Sequence, residues 1–482
     1  MQGNNNPLTL GTESVKKLLL RYAIPSIVAM LSSSLYNMID SIFIGHGVGA
    51  MAISGLAITM PIMNVIAALG TLVSVGGATL MSVKMGQGDK KSAEYILSNV
   101  LMLNVIIGLC LTAAGVIFLD DILYFFGASE NTIPYAREFM HIILSGTAVT
   151  HVYLGLNDML RASGYPGKAM GVILTAIAIN CVLNPLFIFG FGMGTDGAAC
   201  ATWLSEATVL AIFKWGIAGS AFATVIAQTV AMSIELVHFM RKKHFIHFER
   251  KMFGLKAHIV KGIFSIGVSP FLMNICASIV VIFINKSLMT YGGDFYVGAY
   301  GIINRVLMVF IMIVIGLNQG MQPIVGYNFG ARKFDRVARA LRYAIFAAVA
   351  VTTSGFLMAE IFPHLLANMF TGDQELIDIA SHGMRIVLIM FPIVGFQMVT
   401  ANFFQSIGKV RKAILLSLTR QMLFLVPLLI ILPRFMGTLG VWISMPIADS
   451  LATVLAVFLL TRQMKKFREN NDNDNNLKTK LI

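Results

Sequence analysis

The chain has 482 residues, of which 57% are hydrophobic and 12% charged, with a formal net charge of +13. Soluble domains carry roughly 25% charged residues, so a water-soluble fold of this length could not cover its surface. Lipid is the solvent, which excludes a cytosolic enzyme and a secreted domain.

A membrane helix needs about 20 mostly apolar residues, and about twelve stretches qualify. They are 18–44, 51–83, 93–118, 134–161, 168–191, 217–241, 259–286, 296–326, 336–361, 378–406, 410–432 and 437–462. The expected fold class is therefore an all-α integral membrane protein of about twelve transmembrane helices. The first stretch is too long for a signal-peptide core and has no small-residue cleavage site, so it reads as a retained start-transfer helix. The four cysteines, Cys110, Cys181, Cys200 and Cys276, lie in apolar runs without paired spacing. They read as small core residues rather than a disulfide framework or a metal site.

Basic residues cluster in every second loop. Lys16, Lys17 and Arg21 precede the first span, and Lys84, Lys90 and Lys91 follow the second. Arg161 and Lys168 flank the next such gap, and Arg241, Lys242, Lys243, Lys251, Lys256 and Lys261 fill the one after. Arg332, Lys333, Arg336, Lys409, Arg411, Lys412 and the basic stretch from Arg462 continue the pattern, whereas the alternate loops hold Asp120, Asp121, Glu130, Asp373 and Glu375. The positive-inside rule puts both termini in the cytoplasm of a cell (plasma or inner) membrane protein. The charge excess is thus a topology signal, and no nucleic acid is expected as a partner. The domain map is a cytoplasmic segment 1–17, a first lobe 18–241, a linker 242–258, a second lobe 259–462 and a tail 463–482. Its Asn/Asp/Lys-rich end, from about Glu469, reads as disordered.

The two halves are related. "MGQGDKKSAE" (Met85–Glu94) resembles "NFGARKFDR" (Asn328–Arg336), with Gly88 set against Gly330. "GYPGKA" (Gly164–Ala169) matches "GKVRKA" (Gly408–Ala413), and "MGTDG" (Met193–Gly197) matches "MGTLG" (Met436–Gly440). One offset of about 243 residues serves all three. Six spans per half is an even number, so the expected arrangement is two parallel, pseudo-symmetric six-helix bundles with a cavity between them. "GTDGAACAT" (Gly194–Thr202) also recurs as "GIAGSAFAT" (Gly216–Thr224), a local duplication of roughly 22 residues. The insert near 194–215 reads as a re-entrant or interfacial helix, because Glu206 would be costly in lipid.

"KLLLRYAIPSIVAMLSSSLYNMIDSIFIG", the two Gly-basic loops, "LRASGYPGKA", "NCVLNPLFIFG" and "GIAGSAFATVIAQ" resemble the multidrug and toxin extrusion (MATE) family over about residues 12–465, the insert excepted. The resemblance implies a secondary antiporter, not an enzyme, that exports organic cations against an inward flow of protons or sodium ions. No cofactor beyond that ion is implied, and the expected partners are small cationic or amphipathic substrates and the bilayer, for a monomer.

Ionisable groups inside spans are functional candidates by default. Asp40 stands in the first span with Tyr36 one turn earlier on the same face. A cavity-facing Asp whose pKa burial lifts can exchange its charge for a proton; a solvated carboxylate near the outer interface is the structural alternative. The fifth span supplies Asn180 and Asn184, one turn apart and just before Pro185. By resemblance the coupling site of the first lobe comprises Tyr36, Asp40, Asn180, Asn184 and Thr224, with Thr202 as the duplicate of Thr224 and Asn157 of the fourth span as a further wall. The bland alternative is that the Asn residues tie neighbouring helices. Some relatives carry a second carboxylate where this chain has Asn184, which tilts the ion mildly towards protons; sodium at Asp40, Asn180 and Asn184 is the other option.

The second lobe shows Asn274 and "MFPIVGFQMVTANFFQS" (Met390–Ser406) where some relatives carry acids, which argues against a cation site there. Arg305 in the eighth span needs an acceptor, for which Asp449 of the twelfth is a candidate; a structural clamp is the favoured reading, with substrate chemistry as the alternative. The 30 Met and 33 Phe mostly pack helices or face lipid, and any in the cleft would suit varied apolar cations. "HFIH" (His244–His247) lies among Arg and Lys and reads as a solvated loop, not a metal site. "GQGDKK" has no preceding strand and no GK[ST], so it is a tight turn rather than a phosphate loop. The expected function is proton-coupled drug export by alternating access. The alternatives are a lipid-linked oligosaccharide flippase, which needs basic groups in the cavity, and a polyprenyl-substrate enzyme, which needs magnesium-binding carboxylates.

Overall fold

In hydrocarbon a backbone N–H or C=O has no water to bond, so long apolar runs satisfy themselves as helices. The computed structural model describes residues 7–47, 50–126, 128–130, 132–189 and 216–479; side chains at 7, 37–57, 184–185, 187–189, 216–217, 219, 250 and 470–479 lie outside the described set. Among the described residues nine helices are long and apolar enough to span, or eleven when each of two bent helix pairs counts as one crossing.

The first lobe holds α1 (Val15–Gly47), α2 (Ala50–Gly86), α3 (Lys90–Ile117), α4 (the bent pair Ile133–Ser145 and Thr147–Ala162), α5 (Pro166–Phe189) and α6 (Gly216–Met240). The second begins with α7 (Ala257–Gly292), α8 (Asp294–Gly330), α9 (Phe334–Ile361) and α10 (the bent pair Gln374–Leu388 and Phe391–Ser406). The last apolar run, Val410–Glu469, turns back at Gly437, whose φ of 57° and ψ of −136° interrupt the helix. A Cβ on Gly440 would lie 2.5 Å from the Leu432 carbonyl, whereas residues eight apart in a straight helix are about 12 Å apart. The two arms, 410–436 (α11) and 438–479 (α12), bring the crossings to twelve. Helix α12 continues to Thr479 through the tail whose composition suggests no structure; extending a nucleated helix costs far less than starting one. The duplicated insert 194–215 falls outside the described residues, and α6 begins at Gly216.

The halves repeat each other at a spacing of 244 residues. Both bent crossings turn by 53°, at Gly146 and at Met390. The turn after α2, with Gly88 N bonded to Met85 O and Asp89 N to Lys84 O, is reproduced after α8 by Arg332 N to Phe329 O and Lys333 N to Asn328 O. This corrects the sequence register there by two residues: Gly330 answers Gly86, and the counterpart of Gly88 is Arg332. Both turn residues have positive φ, 79° and 58°. The sequence match had paired the two conspicuous glycines, but an arginine fills the second left-handed position.

The loops after α2, α4, α8 and α10 and the linker 241–256 share one end of the molecule, here the basic end. There the lobes interlock through α1 against α8 and α2 against α7 and α8. Gly316 and Gly320 let the backbones of Ile27 and Ala23 approach, and Gly267 and Gly76 do the same for Leu72 and Ile263. A strap closes this end: Asn328 Nδ2 and an Arg336 Nη donate to the Leu10 carbonyl at 2.9 and 3.0 Å, and Lys333 Nζ donates to that of Gly11 at 2.8 Å. One buried apolar cluster joins both lobes at this end, from Leu18, Met81 and Leu97 to Met321, Ile324 and Phe403. Towards the other end the cores separate, one around Leu123, Phe139 and Met140, another around Ile284, Ile303 and Trp442.

Candidate cation-coupling site

Three helices of the first lobe bring Tyr36, Asn180 and Thr224 together. The Thr224 hydroxyl spends its proton on the Ser220 carbonyl (3.0 Å), one turn back on α6. Its oxygen then receives Asn180 Nδ2 at 2.9 Å and faces the Tyr36 hydroxyl at 3.4 Å, so the phenol is the donor of that contact. Asn180 is buried, and its Oδ1 has no hydrogen-bond partner among the described residues. Two polar groups, from α1 and α5, thus converge on one oxygen of α6, and among the described residues one amide oxygen stays open.

Asp40 and Asn184 belong to the same helices, each one turn further from the basic end than Tyr36 and Asn180. Their side chains lie outside the described set, as does Thr202.

Asn157 is not part of this cluster. It sits near the basic end of α4, where its Nδ2 donates to Glu235 Oε1 at 2.9 Å and to the Ala169 carbonyl at 3.1 Å. Beside it on α4, Arg161 pairs with Asp158 and donates across the lobe boundary to Gln319 Oε1 at 2.9 Å. Gln322 Nε2 crosses the same boundary to Thr79 Oγ1 at 2.6 Å.

In the second lobe Asp449 accepts from Arg420 Nε at 2.9 Å, and not from Arg305, whose guanidinium stands 5.9 Å from the ring centre of Phe370. The clamp therefore joins α11 to α12. Arg420 lies in a π-helical turn, Thr419–Leu425, a widening that re-aims side chains. Asn274 donates across the boundary to Thr71 Oγ1 at 3.4 Å.

Sequence reasoning missed Glu235 and Arg420. Each is an ionisable residue inside an apolar run, the same signal that singled out Asp40. Glu235 was masked by its nearness to the basic linker, and Arg161 was read only as a mark of topology.

The MatE family profile matches residues 25–186 and 268–431, one stretch in each lobe. The chain is 26% identical over 447 residues to the multidrug export protein MepA of Staphylococcus haemolyticus, covering 93% of each. Among solved structures it is similar to MATE in complex with MaL6, at a TM-score of 0.87 and 22% identity over 97% of this chain and 100% of that one. It is also similar to the outward-facing conformation of a multidrug resistance MATE family transporter of the MOP superfamily, at a TM-score of 0.86 and 22% identity over 96% and 98%. At these identities the structural likeness concerns the fold.

Proposed function

The chain belongs to the MatE family, and from that membership we propose that it exports cationic, amphipathic drugs in exchange for protons. The observation that carries alternating access is the divided core: the lobes share buried apolar contacts at the basic end and keep separate cores beyond it. Two rigid bundles hinged in this way can rock apart at one end and together at the other. The basic loops favour a cytoplasmic basic end, which makes this arrangement closed to the cytoplasm and ready to release drug outward. It works as a monomer, since each lobe completes the other.

The coupling site is the Tyr36–Asn180–Thr224 cluster with Asp40 one turn outward. Protonation of Asp40 turns an acceptor-only carboxylate into a donor, and Asn180 Oδ1 is a buried acceptor in the same lobe that lacks a donor among the described residues. Proton arrival thus changes the hydrogen bonding among α1, α5 and α6 and releases a bound cation by removing its counter-charge. Sodium would need several oxygens in place of one donor, and Asn184 offers a neutral ligand where a carboxylate would bind more strongly.

Exchange of one monovalent cation for one proton moves no net charge, so only the pH gradient drives it, at about 1.4 kcal/mol per unit. A second proton would add about 2.3 kcal/mol per 100 mV. A flippase cavity for pyrophosphate is less well supported, because Arg161 and Arg420 are each paired with an Asp and Arg305 stands against the ring of Phe370.

The test is ethidium transport in proteoliposomes under an imposed pH gradient, wild type beside Asp40→Asn, with a sodium gradient at fixed pH in parallel. Transport driven by pH in the wild type and lost in a folded Asp40→Asn supports the reading. Drive by sodium alone overturns the ion, and no ethidium movement under either gradient overturns the substrate class.

A further inference from the structure

Helices α4 and α6 run in the same direction and are joined by two polar rungs. Thr150 Oγ1 donates to Gln228 Oε1, and seven residues further along both helices Asn157 Nδ2 donates to Glu235 Oε1. Thr224, Gln228 and Glu235 fall within about 40° of one another around α6, at 100° per residue. A polar stripe therefore leads from the coupling cluster to Glu235, eleven residues and about 16 Å nearer the basic end.

Glu235 is completely buried. Its Oε1 has one neutral amide donor, and among the described residues neither its Oε2 nor Asn157 Oδ1 has a hydrogen-bond partner. Among the described residues the ionisable groups that act on it are Arg161, Asp158 and the phenol of Tyr153, all on α4, while His238 lies one turn on along α6 with its Nδ1 3.4 Å from Lys168 Nζ of α5. From α5 the Ala169 carbonyl shares the Asn157 amide. Arg161 is already committed to Asp158 and to Gln319 of the other lobe. A bare carboxylate in such a place would be a buried charge whose one cation, Arg161, is already shared with Asp158 and Gln319, and an under-compensated buried acid takes up a proton instead. A proton on Oε2 would also make it a donor, which Asn157 Oδ1 lacks among the described residues.

We propose that Glu235 is a second proton-exchange site of the transport cycle, loaded while the lobes are joined at the basic end and discharged when they part. This rests on the proton-antiport reading. Parting of the lobes withdraws Gln319 from Arg161 and admits water to the α4–α6 end. The carboxyl then gives its proton to that water, and Arg161 beside it stabilises the carboxylate left behind. Closure restores the dry site, and the carboxylate takes its next proton along the α6 stripe. With Asp40 carrying one proton and Glu235 another, export of a monovalent cation brings one net positive charge inward.

The experiment is ethidium transport in proteoliposomes with equal pH and equal sodium on both sides and a potassium-diffusion potential, negative on the basic-end side. Wild type should export ethidium under the potential alone, with an accumulation limit raised about 50-fold at 100 mV. Glu235→Gln, which keeps the acceptor for Asn157, should lose the potential-driven component and retain transport driven by a pH gradient. A wild type indifferent to potential, or a Glu235→Gln that keeps the response, overturns the proposal. A wild type that moves no ethidium under a pH gradient either would instead sink the antiport reading beneath it. Should Glu235→Gln fail to fold, carbodiimide labelling of the wild type decides, because the reagent attacks protonated carboxyls in apolar surroundings. Modification of Glu235 at neutral pH is expected, and an unmodified Glu235 overturns its loading.

Discussion

Gly86 and Tyr327 meet backbone to backbone across the lobe boundary: a Cβ on Gly86 would fall on the Tyr327 carbonyl oxygen, and one on Gly330 would fall on that of Val83. Both members of the second contact lie 244 residues from their counterparts in the first, so the pair is related by the pseudo-two-fold axis and each lobe presents the other with the same surface. Between them Gly326 faces Ser82, its own counterpart, at 3.0 Å from an added Cβ to the Ser82 Cβ. A self-complementary contact of this kind closes without gaps only if the glycines stay bare.

Gly86→Val should therefore hold the basic end open. Overpacking at a backbone contact costs about 1–3 kcal/mol, enough to shift a balanced pair of states by one or two orders of magnitude. Labelling of Ser82→Cys by a membrane-impermeant maleimide, applied from the basic-end side, should rise by at least tenfold in the Gly86→Val background. Equal labelling in both backgrounds would mean that the boundary yields without opening.

Arg332 occupies a left-handed position that Gly88 fills in the first lobe, and both residues are exposed. An L-residue there costs about 1–2 kcal/mol, and replacing it by glycine adds about 0.5–1 kcal/mol of unfolded-chain entropy. Arg332→Gly should thus gain about 0.5–1 kcal/mol, while Gly88→Ala should lose a similar amount. Thermal melting in detergent checks the opposite signs, and a lower melting temperature for Arg332→Gly would contradict the strain argument.

How much of this was legible depends on what the pattern encodes. Apolar length carries the twelve crossings, because it follows from lipid as solvent, and motif matches at one offset carry the repeat. Register within a turn does not follow, since Gly88 and Gly330 look alike as letters and differ in backbone conformation. Tyr36, Asn180 and Thr224 were legible together through family resemblance and do converge. Asn157 was not separable from them, because whether a polar residue faces α5 or the lower part of α6 depends on the 53° bend of α4. The partner of Asp449 depends on a π-helical turn in α11, which no periodicity announces. Glu235 was legible as an acid in a span, but its isolation appears only once Arg161 is seen to be taken by Asp158 and Gln319.

Asp89 caps α3, accepting the Ser92 N–H at 3.0 Å. Bonds from Ser92, first from its side chain and then from its backbone, hold the Asp89 carboxyl below the usual range, against a smaller opposing effect of burial. A depressed folded-state pKa means stabilisation that is present above the ordinary carboxylate pKa and is lost as pH falls through the lower, folded value. Asp89→Ala should cost about 1 kcal/mol at neutral pH, the usual worth of a helix cap. Asp89→Asn keeps the acceptor but cannot titrate, so its melting temperature should fall less than that of the wild type on acidification. Parallel melting curves for the two across the acid range would remove Asp89 from the account.

Thr224 is where three helices meet on one oxygen, and its substitution separates the coupling cluster from ordinary packing. Thr224→Ala takes the acceptor from Asn180 Nδ2 and from the Tyr36 hydroxyl at once, and an unmet buried donor costs about 1–3 kcal/mol. Thr224→Ser restores the oxygen and removes only a methyl group. If the cluster couples ion to substrate, pH-driven ethidium transport should fall more than tenfold in Thr224→Ala and stay within about threefold of wild type in Thr224→Ser, with both variants equally abundant in the membrane. The distinguishing quantity is the ratio of the two. A helix tie alone would lower the melting temperature of the alanine variant while leaving the transport rate per folded molecule unchanged, and that result would move the coupling site away from α6.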